Sequence, residues 1–356
     1  MNIKRLLKLI IKKSAILFRH PSHMNMEDAR TILQSFSSDP ATTCIANNTL
    51  DIQYDLQIIV PAYNMEKYVG QCLESALNQK TGYSYLVTVV NDGSIDRTLE
   101  IIKLYQKKYP NHMEIIDQPN RGLSGARNSA MKILKGRYIT FLDSDDVLAD
   151  GAVDILLNTA KDGDSLIDIV QGSWYDGIEL TRKDMQYNIR EAKELSGFPW
   201  GKLFRAEVLK HFQFPEGYLF EDTPISFILY GKNYRFKTIS DVVYGYRINP
   251  EGITAKSKKM KRSVESYYIT ALCLKEFPKF NVSYDKRAYE YFLNQCCMNF
   301  RRTLNQPRNV REAIFVLEAN LKERYFKDMY SKSNKEIESA LDNKQFRKFE
   351  ILAITR

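Results

Sequence analysis

Apolar and polar positions along the first half of the chain follow two alternating patterns. Apolar runs at residues 56–60, 86–90 and 138–142 are typical of buried strands, and residues 113–116 form a shorter run of the same kind. Between these runs, apolar residues recur at the spacing of an amphipathic helix, as in residues 69–77. Strands that alternate with helices predict an α/β fold whose mixed, mainly parallel sheet is flanked by helices and built with right-handed crossovers.

The second half is less regular and becomes helical towards its end. Residues 168–173 and 242–247 predict two further strands, and the helical pattern dominates from about residue 261 onward. We therefore divide the chain into a basic amphipathic helix and linker at residues 1–50, an α/β domain at residues 51–260 and a C-terminal helical region at residues 261–356.

The first 20 residues combine positive charge with helical apolar spacing. They contain no acidic residue, and their basic residues are Lys4, Arg5, Lys8, Lys12, Lys13 and Arg19. This pattern predicts a helix that lies on an anionic membrane surface, and the alternative is a helix packed on the domain or used in oligomer contacts. No run reaches the about 18 apolar residues of a membrane span. Lysines interrupt the apolar stretch, which disfavours a secretory signal peptide.

Composition adds a preference for anionic partners. The chain has 356 residues and a formal net charge of +9, which favours nucleic acid, anionic lipid or phosphorylated substrates. No basic and aromatic motif specifies nucleic acid, so we expect no nucleic-acid partner. The 5 cysteines show neither disulfide nor metal-ligand spacing, and we expect a reducing, cytoplasmic compartment. The 4 histidines form no plausible metal set.

Polar side chains follow the predicted strands at the point where each strand ends. Tyr63 and Asn64 follow the first strand, Asp92 follows the second, and Asp143 and Asp145 follow the fourth. Parallel sheets bind ligands beyond the carboxyl ends of their strands. Alternate residues of an extended chain point to the same side, so two carboxylates at this spacing suit Mg²⁺ or Mn²⁺ that holds a diphosphate. The alternative is an ordinary acidic turn.

This chain lacks the motifs of several common enzyme classes. There is no GxGxxG after the first strand and no GxxxxGK[ST], which leaves Rossmann dinucleotide binding and a P-loop unsupported. HExxH and GxSxG are also absent.

The remaining motifs resemble a glycosyltransferase of family 2, with the Rossmann-like GT-A fold of nucleotide-diphospho-sugar transferases. The matching segments, in order, are residues 59–64 (IVPAYN), 90–96 (VNDGSID), 120–128 (NRGLSGARN), 142–146 (LDSDD) and 200–204 (WGKLF), followed by Glu221 and Asp222. The resemblance covers about residues 55–250. One departure is Asn91, where the family usually has an aspartate.

The resemblance implies a donor site at the strand ends. Its residues are Pro61, Tyr63, Asn64, Asp92, Gly93, Arg121, Gly122, Arg127, Asp143 and Ser144. Tyr63 would lie against the nucleobase, Asp92 would accept a hydrogen bond from the uracil imide, and Arg127 would face the diphosphate or the donor sugar. Each of these residues could instead have a structural role: Tyr63 as a buried aromatic, Asp92 as a turn former beside Gly93, and Arg127 as a surface helix residue.

The resemblance also implies a metal and a base. Asp145, with Asp143, would hold Mn²⁺ or Mg²⁺, which neutralises the leaving nucleoside diphosphate. Asp222 would be the general base, with Glu221 as the alternative. These two acids could equally be ordinary acidic residues at the N-terminus of a helix, where negative charge is stabilising.

Three further residues are weaker candidates. Trp200 and Lys202 are candidates for acceptor binding, and Trp200 could equally be a core tryptophan. Arg247 is a further candidate for contact with the phosphates.

We therefore expect an inverting transferase that moves a sugar from a nucleotide diphosphate donor, favouring UDP, to a hydroxyl of a glycan acceptor. The basic N-terminus favours a lipid-linked acceptor at the cytoplasmic face of the cell membrane, in assembly of a bacterial surface polysaccharide or glycoconjugate. The alternatives are a non-catalytic nucleotide-sugar or glycan-binding module, which the intact acids disfavour, and a sugar-phosphate nucleotidylyltransferase, whose glycine-rich loop is replaced by residues 61–64. The oligomeric state stays open.

Overall fold

The structure is a computed structural model that describes residues 15, 18, 20–161, 166–178, 180, 188–257 and 259–355. The chain forms two compact units. The sheet unit comprises Thr42–Gly217 and Pro224–Pro250, and the helical unit comprises Met1–Ala41, Tyr218–Thr223 and Glu251–Arg356.

The described strands all belong to one sheet in the sheet unit. In chain order they are β1 (Thr49–Ala62), β2 (Tyr85–Asp92), β3 (Met113–Gln118), β4 (Ile133–Phe141), β5 (Val147–Leu148), β6 (Ile169–Gly177), β7 (Asn188–Arg190), β8 (Lys202–Arg205) and β9 (Phe236–Arg247). The order across the sheet is β3-β2-β1-β4-β8-β6-β9-β5, and β7 pairs with β6.

Helices connect these strands and build the helical unit. In chain order the α-helices are α1 (Met26–Phe36), α2 (Val69–Leu77), α3 (Thr98–Lys108), α4 (Gly122–Met131), α5 (Ala152–Lys161), α6 (Ala206–Leu209), α7 (Thr223–Phe227), α8 (Ile253–Ser257), α9 (Glu265–Glu276), α10 (Lys286–Arg302), α11 (Arg308–Phe326), α12 (Lys335–Asp342) and α13 (Phe346–Thr355). Short 3₁₀ turns lie at Leu229–Gly231, Lys261–Val264 and Phe277–Phe280.

The first four strands form one continuous parallel part of the sheet. β1 pairs in parallel with β2 and with β4, and β2 pairs in parallel with β3. β8 is antiparallel to both β4 and β6, whereas β9 is parallel to β6. The predicted mixed, mainly parallel sheet flanked by helices is confirmed.

Burial explains why the apolar runs become these strands. Every residue of β2 is buried, as are the last seven residues of β1. A strand covered on both faces is mostly apolar, as these two segments are. Two of the buried polar side chains pair with each other, because Gln57 of β1 donates to Thr88 Oγ1 of β2 at 2.9 Å. The helical spacing of residues 69–77 also has its predicted meaning, because α2 buries Val69, Cys72, Leu73, Ala76 and Leu77 along one face.

The C-terminal region is helical, as predicted. α10 begins at its N-cap Asp285, whose carboxylate accepts a hydrogen bond from the backbone N–H of Ala288 at 2.8 Å. α11 buries residues at helical spacing, among them Ala313, Leu317 and Leu321. No helix within the described ranges is long and apolar enough to cross a membrane.

The N-terminal segment differs from the predicted linker. The structure places helix α1 within it, capped by the side chain of Asn25, and buries Ala29 and Leu33. Two buried positions are too few to show a helical period. β1 also begins inside the predicted linker, at Thr49. The predicted membrane helix at residues 1–20 lies outside the described residues, apart from Ala15, Phe18 and His20.

Close packing of β1 against β4 requires a glycine at position 136. A Cβ atom at Gly136 would collide with backbone atoms of Gln57, Tyr138 and Leu56. We expect Gly136→Ala to lower the free energy of unfolding by about 1–3 kcal/mol, as overpacking does elsewhere. Urea unfolding followed by circular dichroism measures this change. Gly82→Ala is the control because a Cβ atom there has no neighbour within 4 Å; equal stability of the two variants would contradict the argument.

Candidate active site

The predicted donor residues lie where three neighbouring strands end. β1 lies between β2 and β4, and Ala62 at the end of β1 pairs with Asn91 of β2. On the other side, Ile59 pairs with Phe141 at the end of β4. The residues that leave these strands therefore share one edge of the sheet, at the position where ligands bind in such folds.

The turn after β2 fixes the carboxylate of Asp92. Its Oδ1 accepts hydrogen bonds from the Gln118 side chain at 2.7 Å and from the backbone N–H of Arg121 at 2.9 Å. The side-chain amide of Asn120 donates to the backbone carbonyl of Asp92 at 2.9 Å. Gly93 follows with φ of +72°, and a Cβ atom there would lie 2.7 Å from the Asn120 nitrogen. Asp92 is therefore buried and held in one orientation.

The residues after β1 are tied to the same turn. Asn64 has a left-handed backbone, with φ of +52°. Its N–H donates to Ser94 Oγ at 3.1 Å, and its Oδ1 accepts from the backbone N–H of Ile95 at 2.9 Å. The preceding Tyr63 leaves 46% of its surface exposed. A fixed loop thus presents an accessible aromatic ring beside the strand that carries Asp92. Pro61 is buried within β1, opposite Val90.

Asn91 has a clear structural reason to be an amide. Its Nδ2 donates to Asp117 Oδ1 at 2.7 Å, directly across the β2–β3 pair. An aspartate at position 91 would place two carboxylates opposite each other, which is destabilising in a sheet. The amide at position 91, which departs from the family pattern, is therefore explained by its partner Asp117.

Arg127 and Asp143 form an ion pair at the end of β4. The Arg127 side chain comes from α4, is 1% exposed, and donates from Nη2 to Asp143 Oδ1 at 2.8 Å. The guanidinium also lies over the ring of Phe214, at 5.2 Å from its centre. The backbone N–H of Asp143 donates to the Tyr244 hydroxyl at 3.2 Å. The structure therefore brings together two residues that the sequence assigned to the donor site.

Arg121 and Gly122 begin the helix α4. The Arg121 guanidinium pairs with Glu216 at 2.6 Å and is 40% exposed, so it remains accessible from solvent. Gly122 has φ of +75°, which favours glycine at this turn. Its backbone N–H donates to Asn120 Oδ1 at 3.2 Å.

Acidic residues are concentrated after β4. Asp145 Oδ2 accepts from Asn249 Nδ2 at 3.0 Å. The carboxylate of Asp146 accepts from the Tyr244 hydroxyl and from the backbone N–H of Arg247, each at 2.7 Å. Burial raises the pKa of Asp145 and, more strongly, that of Asp146, and the neighbouring carboxylates raise both further. Ser144, which lies between Asp143 and Asp145, is buried.

These acids fit a divalent cation that is shared with a ligand. Asp143 and Asp145 supply hard oxygen donors, and their mutual repulsion is the kind that a bound cation relieves. No group of three or more His, Cys, Asp or Glu side chains within the described residues forms a metal site by itself. The remaining ligands would have to come from the diphosphate and water, as is common for Mg²⁺.

Trp200 and Lys202 take part in interior packing. Trp200 is 9% exposed and stacks with Phe198 at 3.7 Å and with Tyr244 at 4.7 Å between ring centroids. Lys202 is fully buried, and its Nζ donates to Ser196 Oγ at 2.8 Å and to the Phe198 carbonyl at 2.6 Å. These contacts give both residues a structural role, and their binding of an acceptor stays a prediction that the contacts do not support.

The acid pair Glu221-Asp222 belongs to the helical unit. Within that unit, the guanidinium of Arg302 lies 3.9 Å from the centre of the Phe220 ring and donates to Ser266 Oγ at 3.2 Å. Burial lowers the pKa of Arg302 below its usual value, and the negative charges of Asp222 and Glu221 offset only part of this shift. Sequence reasoning missed Arg302 because nothing in the helical pattern of α10 marks this arginine as a neighbour of the acids.

Comparison with known proteins identifies the domain that carries this strand edge. Residues 57–220 match the family model of glycosyl transferase family 2. This segment is a family 2 glycosyltransferase domain. The chain is 29% identical to the minor teichoic acid biosynthesis protein GgaB of Bacillus subtilis over 221 residues, and the match covers 58% of this chain. It spans 24% of the length of GgaB, about a quarter of that relative.

Solved structures confirm the GT-A fold of the family 2 domain and the helical region that follows it. Residues 1–349 of TarS from S. aureus, in complex with UDP-GlcNAc, match with a TM-score of 0.57 at 20% identity, over 83% of this chain and 90% of that one. The mannosyltransferase PcManGT from Pyrobaculum calidifontis, in complex with GDP-Man and Mn²⁺, matches with a TM-score of 0.53 at 14% identity, over 99% and 97% of the two chains.

The Asn91–Asp117 pair of the family 2 domain predicts how a charge change at position 91 affects stability. We expect Asn91→Asp to lower the free energy of unfolding at pH 7 by about 1 kcal/mol, because two carboxylates then face each other. Repulsion and burial raise the pKa of the new carboxyl in the folded state, so the loss should shrink as pH falls and the carboxyl becomes protonated. Asn91→Asp with Asp117→Asn should restore stability. Urea unfolding at pH 5 and pH 7 measures both effects; a double variant no more stable than Asn91→Asp would contradict the account.

Proposed function

We propose that the protein is a metal-dependent, inverting glycosyltransferase that transfers a sugar from a UDP-linked donor to a hydroxyl of a glycan acceptor. The observation that carries this proposal is the shared strand edge. There, Tyr63 follows β1, the fixed carboxylate of Asp92 ends β2, and Asp143, which is paired with Arg127, and Asp145 follow β4. The family 2 match supports the same reaction class.

The nucleobase would be held by Tyr63 and Asp92. The exposed ring of Tyr63 offers a flat apolar face for the base. The Asp92 carboxylate is a strong acceptor for the imide N–H of uracil, and its bonds to Gln118 and Arg121 hold it in place before the donor arrives. Pro61, Asn64 and Gly93 shape the backbone around it.

The diphosphate and donor sugar would lie against the start of α4 and the end of β4. The basic groups here are Arg121 and Arg127, and the backbone at Gly122 and Ser144 borders the same edge. Arg127 is paired with Asp143, so it would orient this carboxylate towards the ribose, the sugar or the metal. The exposed guanidinium of Arg121 is the better candidate for direct contact with a phosphate.

Asp145 and Asp143 would hold Mn²⁺ or Mg²⁺. A bound divalent cation stabilises the negative charge that develops on the leaving UDP. PcManGT was solved with GDP-Man and Mn²⁺, which supports a metal in this fold. The carboxylates of this chain would bind and orient the cation, and Asn249 would orient the Asp145 carboxylate through its 3.0 Å hydrogen bond.

Asp222 would act as the general base, with Glu221 as the alternative. The carboxylate removes the proton of the acceptor hydroxyl as the hydroxyl oxygen attacks the anomeric carbon. The bond from that carbon to the UDP oxygen breaks in the same displacement, so the anomeric configuration inverts. The resemblance of Glu221-Asp222 to the acid pair of the family supports this assignment.

The acceptor class follows from the relatives and from charge. GgaB is a teichoic acid biosynthesis protein, which favours a bacterial cell-surface polymer as the acceptor. The basic segment at residues 1–20 favours a lipid-linked acceptor at the cytoplasmic face of the membrane.

Removal of the metal ligand should uncouple UDP binding from the metal. We expect Mn²⁺ to strengthen UDP binding to the wild type, and Asp145→Asn to weaken binding in Mn²⁺ by about 10-fold or more with little change in EDTA. Isothermal titration calorimetry measures both constants. Asp51→Asn, at an exposed position of β1, is the control for loss of a negative charge. Mn²⁺-dependent binding retained by Asp145→Asn would exclude this carboxylate as the ligand.

Removal of the base should abolish transfer but spare donor binding. We expect Asp222→Asn to lower kcat by about 10²–10⁴-fold, as general-base catalysis predicts, with UDP affinity unchanged. Glu221→Gln should have the smaller effect if Asp222 is the base. Release of UDP from UDP-GlcNAc and UDP-glucose, with and without a glycan acceptor, measures turnover. Wild-type binding of UDP without turnover under every condition would favour the non-catalytic binding module instead.

A further inference from the structure

The buried guanidinium of Arg247 contacts the loop that carries Asp145. Arg247 is the last residue of β9 and is 3% exposed. Its Nε donates to the backbone carbonyl of Asp145 at 2.6 Å. Its own backbone N–H donates to Asp146 Oδ1 at 2.7 Å. Arg247 therefore holds two consecutive residues of the acidic loop, one through its side chain and one through its backbone.

The other nitrogens of the same guanidinium contact different parts of the sheet unit. Nη2 donates to Gln71 Oε1 of α2 at 2.6 Å, and Nη1 donates to the Ile178 carbonyl, just beyond β6, at 3.1 Å. The guanidinium carbon lies 4.6 Å from the centre of the Tyr68 ring. The amide nitrogen of Gln71 in turn donates to the Leu180 carbonyl. The guanidinium is thus fixed by two further hydrogen bonds and a cation–π contact.

This geometry differs from that of a phosphate ligand. All three guanidinium nitrogens of Arg247 donate to protein oxygens, and the group is buried. A phosphate would have to replace some of these bonds or compete for the remaining N–H groups. The expectation that Arg247 contacts the phosphates is therefore not supported by its contacts, which join the acidic loop to Gln71 and Ile178.

We propose that Arg247 is a positioning residue that fixes the backbone of Asp145 for metal binding, and that Gln71 orients the Arg247 guanidinium. This inference rests on the proposed role of Asp145 as a metal ligand. Metal ligands depend on supporting hydrogen bonds that hold their donor atoms in place. Asn249 orients the carboxylate of Asp145 from one side, and Arg247 anchors the backbone that carries it.

The planar fork of arginine is essential to this role. It donates in three directions from one rigid group, whereas a lysine ammonium is a compact point charge on a flexible stem. Arg247→Lys therefore keeps the charge but loses the geometry. Gln71→Met keeps the approximate size of the side chain and removes only the acceptor for Nη2 and the donor for Leu180.

The test compares UDP binding in Mn²⁺ with UDP binding in EDTA for each variant, by isothermal titration calorimetry. The ratio of the two affinities is the metal enhancement. We expect Arg247→Lys and Gln71→Met each to reduce the enhancement by about 10-fold or more, the usual effect of removing a supporting hydrogen bond at a metal site. Their UDP affinity in EDTA should stay at the wild-type value, because Arg247 does not bind the phosphates.

Arg205→Lys is the matched control. Arg205 belongs to β8 of the same sheet and pairs with Asp168 at 3.0 Å, and it takes no part in the proposed site. It should lower the thermal midpoint without changing the metal enhancement. If Arg247→Lys does not fold, Gln71→Met carries the test with the same expected outcome.

Two results would overturn the inference. Loss of UDP affinity in EDTA by the Arg247 and Gln71 variants would make Arg247 a direct phosphate ligand. A lowered thermal midpoint with an unchanged metal enhancement would make it a packing residue only. Wild-type protein that binds no UDP would instead contradict the proposed function and, with it, a metal-binding role for Asp145, so the two kinds of failure are distinguishable.

Discussion

Repulsion among carboxylates at the end of β4 is the constraint on which the rest of this region depends. Asp143, Asp145 and Asp146 lie within four consecutive residues, and burial and mutual repulsion raise the pKa of the last two. Each acid has its own fixed partner: Arg127 for Asp143, Asn249 for Asp145, and Tyr244 with the Arg247 backbone for Asp146. Helix α4 and strand β9 thus help to hold negative charge at a strand end, where a bound divalent cation would offset it.

The sequence predicts the first strands and the positions of their terminal acids well, for a physical reason. Strands buried on both faces are mostly apolar, so β2 and the end of β1 are visible as apolar runs in spite of Gln57 and Thr88. Asp92 and Asp143 are then located by where such runs stop. The partners of these acids are different. Gln118, Tyr244 and Asn249 reach them through strand pairing and loop geometry, which no local pattern encodes.

Two other outcomes show where local patterns are insufficient. Trp200 has the size and chemistry of a sugar platform, and only its tertiary neighbours, Phe198 and Tyr244, show that its ring is packed in an aromatic cluster. Asn91 looks like a weakened version of the family motif. Its contact with Asp117 of the neighbouring strand β3 instead shows an amide in a position where a second negative charge would be repelled. In the helical unit, Arg302 is recognisable as a neighbour of Asp222 only once α10 is folded.

The central claim is that the edge formed by β1, β2 and β4 binds a UDP-linked donor through a divalent cation at Asp145. The most direct measurement is a crystal structure with UDP and Mn²⁺, with anomalous diffraction collected at the manganese absorption edge. We predict an anomalous peak within coordination distance of the Asp145 carboxylate and uracil beside Tyr63 and Asp92. A manganese peak or a uracil bound elsewhere, with the Asp145 carboxylate bonded to Asn249 and not to the metal, would contradict the account.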